Sequence, residues 1–137
     1  MSRRIDHIAI AVPDLKEALR IYQESFQGTA SEPKELPDHG VRVAFLEYEN
    51  TKIEFLEPLG DTSPLSNFLQ RHPQGGLHHI CFVEPDLAKT VASLQETGKE
   101  VLGDGESKIG AQGNPVLFLH PKDFCGVLVE LEEKTPK

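Results

Sequence analysis

Apolar and polar residues alternate over several short stretches of this chain, and a helical period interrupts the alternation at two places. Residues 5–12 and 77–83 are β-branched and apolar, and each stretch runs into Pro-Asp, which stops a strand and can open a helix. Beyond it Leu15, Ala18, Leu19 and Tyr22 recur at helical spacing, as do Leu87, Val91 and Leu94, with Gly28 and Gly98 at the expected exits. Further strands are expected at 41–48 and 52–56, joined by a turn through Glu49, Asn50 and Thr51, and at 116–120 and 126–132. Weaker strands are expected near 29–36 and 99–102. Residues 58–76 read as a linker with a short helix at 64–71, and Thr135, Pro136 and Lys137 as a frayed end.

The pattern repeats. His7-Ile8, four residues, then Pro13-Asp14-Leu15 returns as His79-Ile80, four residues, then Pro85-Asp86-Leu87, at an offset of 72 residues. Each half therefore reads as βαβββ. The expected architecture is α+β, one pseudo-symmetric domain with repeat one at about 4–57, a linker at 58–76 and repeat two at about 77–133.

Strand phase singles out four side chains. Strand residues alternate between two faces. On the first strand Ile8, Ile10 and Val12 share the face expected against the helix, leaving His7 with Ala9 and Ala11 on the other. On the equivalent strand Ile80 and Phe82 go to the helix and His79 goes inward with Cys81 and Val83, so His79 is chosen over its neighbour His78. Glu54 lies opposite Ile53 and Phe55, and Glu130 lies opposite Val127, Val129 and Leu131. One His and one Glu from each repeat make a candidate divalent-metal set of His7, Glu54, His79 and Glu130. Two imidazoles and two carboxylates suit Co²⁺, which we favour, or Ni²⁺, Zn²⁺ or Mn²⁺, and leave open positions on an octahedral ion for a bidentate substrate.

Composition narrows the classes. The 137 residues suit one domain, and no stretch has the ~18 apolar residues of a membrane helix. The N-terminus does not read as a secretory signal, which makes the cytoplasm the expected compartment. The net charge of −8 argues against nucleic acid or an anionic membrane as partner. Cys81 and Cys125 are too few for a disulfide framework and, each in or beside an apolar strand pattern, read as two buried thiols. Lys122 is open between a contact to a substrate phosphate or carboxylate and an exposed loop lysine. Residues 108–114, with two glycines, are open between a lid and a hairpin loop.

The segments 6–15, 75–80, 108–115, 118–123 and 126–131 resemble the vicinal-oxygen-chelate superfamily, and within it are most similar to the methylmalonyl-CoA epimerases. The resemblance covers nearly the whole chain. It implies an open eight-stranded mixed sheet around a metal, an acyl-CoA substrate and a homodimer, with the family's ligand positions on His7, Glu54, His79 and Glu130. It also implies epimerisation of methylmalonyl-CoA by α-proton abstraction through a metal-stabilised enolate. Some epimerases carry Gln at the position of Glu54 and a catalytic Glu at that of Val43. With valine there, the proton-transfer groups expected here are Glu54 and Glu130. Two alternatives stand beside this reading: a glyoxalase I-like lactoylglutathione lyase, and a non-catalytic small-molecule-binding protein on the same fold.

Overall fold

The computed structural model describes residues 3–134, so the end expected to fray at 135–137 lies outside the described residues. Contacts divide the chain into two compact units, 7–78 and a second made of 79–134 together with the N-terminal 3–6. The division falls close to the repeat boundary read from the sequence. What the repeat did not reveal is that the first residues of the chain belong with the second unit, where the Val83 N–H donates to the Arg4 carbonyl at 2.9 Å.

β1 (Ile5–Ala11), of which residues 7–11 lie in the N-terminal unit, leads into α1 (Leu15–Phe26). Two short strands follow, β2 (Thr29–Ala30) and β3 (Lys34–Leu36), then β4 (Val41–Glu47), β5 (Lys52–Pro58) and the short helix α2 (Leu65–Arg71). β5 runs parallel to β1 and antiparallel to β4, and β4 pairs with both β2 and β3. The second unit repeats this order. β6 (Gly76–Glu84) leads into α3 (Leu87–Glu96), then come β7 (Lys108–Ile109), β8 (Pro115–Leu119) and β9 (Leu128–Glu133). β9 is parallel to β6 and antiparallel to β8, and β8 pairs with β7. Each unit is thus βαβββ with a mixed sheet, as the apolar pattern implied, except that the region 29–36 is split in two. The strand expected at 99–102 is reduced to one bridge, Val101 to Leu119.

The helices start where they do for the same reason in both units. Asp14 Oδ1 accepts from the Glu17 N–H and Asp86 Oδ1 from the Lys89 N–H, both at 3.1 Å, each N-cap being worth about 1 kcal/mol. A second carboxylate reaches each helix start from the closing strand. Glu57 accepts from the Leu15 N–H at 2.8 Å and Glu133 from the Leu87 N–H at 2.9 Å. These bonds tie strand end to helix start, so the helix lies across one face of its own sheet. Beneath α1 the core is Val12, Leu15, Ala18, Ala44, Leu46 and Phe55; beneath α3 it is Leu87, Val91, Leu117, Leu119, Val129 and Leu131. With the aliphatic face of each sheet consumed by its helix, the opposite face is left for His and Glu.

Candidate functional site

Each unit brings one histidine and one glutamate together on the sheet face away from its helix. In the N-terminal unit His7 Nε2 lies 3.4 Å from Glu54 Oε1, and in the second His79 Nε2 lies 3.0 Å from Glu130 Oε1. The four residues are 2%, 4%, 4% and 7% exposed in chain order, so the charge of each carboxylate is held out of water. Of the neighbouring histidines on β6, His79 is buried, whereas His78 is half-buried with its ring 5.2 Å from that of Phe68.

The same aromatic device orients both imidazoles. Phe45 on β4 stands in register with Glu54, and Phe118 on β8 in register with Glu130. Their rings meet His7 and His79 edge-on at centroid distances of 5.6 and 5.5 Å. A phenyl wall of this kind restricts the imidazole plane and keeps the ring nitrogens directed at the carboxylate. The pairing was absent from the sequence reading, although its signal was there: Phe45 and Phe118 are the aromatic residues of β4 and β8.

These pairs fit a divalent cation. Neutral imidazole and ionised carboxylate are the forms that bind one, and a buried carboxylate is costly to hold without a compensating charge. The N/O donor chemistry suits first-row ions and excludes nothing among Co²⁺, Ni²⁺, Zn²⁺ and Mn²⁺.

The remaining expected features fall elsewhere. Lys122 Nζ donates to Glu100 Oε1 at 2.7 Å on the surface, and this bond, with the attraction between the two charges, raises the lysine's pKa and lowers the glutamate's. Residues 108–114 form a tight hairpin: the Gly110 N–H donates to the Asn114 carbonyl at 2.9 Å and the Gly113 N–H to the Gly110 carbonyl at 3.0 Å. Of the two readings of this segment, the hairpin is the one the structure has. Val43 is 1% exposed and offers no proton-transfer group.

Glu132 was missed. It shares the face of Glu130, two residues on, and is 2% exposed. Strand period alone would have flagged it. Burial pushes its carboxyl above the usual range, and the nearby charges of Asp6 and Glu130 push the same way against a hydrogen bond from Asn114 and the charge of Lys134.

Comparison with known proteins places this arrangement. The family model of the Glyoxalase/Bleomycin resistance protein/Dioxygenase superfamily matches residues 6–118. The chain is 53% identical over 133 residues to the ethylmalonyl-CoA/methylmalonyl-CoA epimerase of Cereibacter sphaeroides, which covers 97% of this chain and 99% of the relative. It is 48% identical over 131 residues to the mitochondrial methylmalonyl-CoA epimerase of Dictyostelium discoideum, covering 96% of this chain and 78% of that one. Among solved structures, a variant of the Streptomyces coelicolor methylmalonyl-CoA epimerase in complex with 2-nitronate-propionyl-CoA matches with a TM-score of 0.88. It is 33% identical, over 96% of this chain and 94% of the other.

Proposed function

The chain belongs to the methylmalonyl-CoA epimerase family of the glyoxalase/bleomycin resistance protein/dioxygenase superfamily, and from that premise we propose that it interconverts (2R)- and (2S)-methylmalonyl-CoA. The observation that carries the reading is the near full-length identity to an epimerase, joined to one buried His–Glu pair in each repeat. The name of the Cereibacter relative adds ethylmalonyl-CoA as a second substrate to be tried.

In this reading His7, Glu54, His79 and Glu130 hold one divalent ion, with Co²⁺ favoured. When bound, the ion supplies Lewis acidity to the thioester and carboxylate oxygens on either side of the substrate's acidic C–H. Glu54 and Glu130, one from each repeat, are the proton-transfer groups. One takes the α-proton from one face and the other returns a proton to the opposite face, and the roles exchange for the reverse reaction. Phe45 and Phe118 hold the imidazoles in plane and exclude water from the carboxylates. Lys122 exchanges Glu100 for an anionic group of the CoA ester. The support for that last role is its surface position, at 55% side-chain exposure.

We read the two units as one domain and the active protein as a homodimer. Exposed apolar side chains at Phe26, Leu77 and Ile109 supply surface for such an interface. Neither cysteine forms a disulfide; Cys81 is buried as expected, whereas Cys125 is exposed and not buried as the apolar strand pattern beside it suggested. The absence of a disulfide between them fits a reducing compartment, which supports a cytoplasmic placement. Among the described residues no helix is long and apolar enough to cross a membrane.

The test is stereochemical. Enantiopure (2S)-methylmalonyl-CoA is incubated with Co²⁺-loaded protein and the (2R) form is read with a stereospecific mutase. Conversion supports the epimerase. Absent conversion together with turnover of the methylglyoxal–glutathione hemithioacetal would replace it with the lyase reading.

A further inference from the structure

Two buried carboxylates outside the proposed donor set meet on a single amide. Asp6 and Glu132 are 8% and 2% exposed, and both lie in the second unit. Gln112 Nε2 donates to Asp6 Oδ2 at 2.8 Å and to Glu132 Oε1 at 2.9 Å. Asn114 Nδ2 donates to the other Glu132 oxygen at 2.7 Å, and Lys134 Nζ to the other Asp6 oxygen at 2.6 Å. Every carboxylate oxygen of the pair is engaged.

The fold does not require this network. By the repeat, His78 stands where Asp6 does. Glu130 corresponds to Glu54 at an offset of 76 residues, which places Leu56 where Glu132 stands. The N-terminal unit builds the same βαβββ arrangement with a leucine there, 7% exposed. Burying a carboxylate in its place is costly unless its oxygens are hydrogen-bonded, and gains nothing in packing. What sets the two acids apart is their address. Asp6 immediately precedes His7 on β1, and Glu132 follows Glu130 by two residues on the same face of β9.

We propose that Gln112 is a positioning residue for the metal donor Glu130: its amide is a strut from the hairpin between β7 and β8 that holds Asp6 and Glu132 together and so fixes β9, all within the second unit. The inference rests on the metal reading given above. Ligand distances must hold to within about 0.2 Å, so the placement of β9, which carries Glu130, controls affinity. Asn114 and Lys134 brace the same strut from its two ends.

The experiment uses the full chain, titrated with Co²⁺ and followed by calorimetry and by the visible absorption of the bound ion, beside thermal melting of the metal-free protein. Two variants are compared, Gln112→Leu and the double variant Glu132→Leu/Gln112→Leu, the second placing in repeat two the residue that repeat one has. Gln112→Leu is expected to weaken Co²⁺ binding by about 10- to 100-fold, the usual effect of losing a group that orients metal ligands. The double variant leaves no stranded Glu132 charge, so it should melt metal-free at or above wild type. It should still bind Co²⁺ at least about tenfold more weakly, with an altered visible spectrum. A double variant with wild-type affinity and spectrum overturns the strut alone. A wild-type chain that takes up no ion overturns the metal reading and the strut with it.

Discussion

Replacing Glu130 by Gln removes a charge and leaves the shape. The side chain is 7% exposed and its Oε1 sits 3.0 Å from His79 Nε2, so the isosteric amide keeps an oxygen that can face the ring or an ion. What it cannot do is take a proton. A positioned acid–base group contributes about 10²–10⁴-fold, or roughly 2.7–5.4 kcal/mol at 1.36 kcal/mol per tenfold. Epimerisation should fall by that factor. If each carboxylate serves one face, the loss is asymmetric: Glu54 still removes the proton of one epimer and returns solvent deuterium to the same face. That epimer exchanges its α-hydrogen without inverting, while the other does neither. The assay runs each enantiopure CoA ester in D₂O and reads deuterium by mass spectrometry and configuration by the stereospecific mutase. Metal-free melting serves as the control for folding. It should be unchanged or higher, because a buried charge has become neutral. Conversion within about threefold of wild type would refute the two-carboxylate assignment, since general acid–base work is worth far more.

Three further outcomes are expected. Gly75→Ala should cost on the order of 1–3 kcal/mol, and roughly 5–15 °C by thermal melting, because φ is +99° there and the new Cβ would lie 2.6 Å from the Ala11 carbonyl oxygen. Lys122→Met should raise KM for the CoA ester with kcat unchanged, and an NMR titration should show the Glu100 carboxyl returning upward to its ordinary value. In wild type that value is lowered by Lys122, so the contribution of the pair is present above the ordinary carboxylate pKa and is lost as pH falls through the lowered one. Adding Co²⁺ at about 100 times its Kd to metal-free protein should stabilise it by about 2.7 kcal/mol, reversed by chelator; no shift in melting would contradict the donor set.

The repeat made most of the fold legible. His-Ile and Pro-Asp-Leu at one fixed offset located both strand–helix starts, and period two then assigned His7, Glu54, His79 and Glu130 to the face away from the helices. Features that depend on partners distant in sequence were not legible. Glu57 and Glu133 received no reading from the sequence, yet they hold the first N–H of α1 and α3. The weaker strand expected at 99–102 has Lys99 and Glu100 beside Val101 and Leu102, and only Val101 finds a bridge partner, at Leu119. Glu132 is a different case. Its parity with Glu130 was visible, but burial and the amide shared with Asp6 depend on Gln112, which reaches Asp6 across 106 residues of chain.

Proton abstraction from the α-carbon of an acyl-CoA by the buried carboxylates that we propose for that role is tested by α-hydrogen exchange of methylmalonyl-CoA in D₂O, read by mass spectrometry, with Co²⁺-loaded protein, chelator-stripped protein and no protein compared. Deuterium uptake should be fast with the loaded protein, fall toward background on stripping, and recover when Co²⁺ is returned. Uptake no faster than the blank, from protein shown by calorimetry to hold its ion, would rule out proton abstraction by this site.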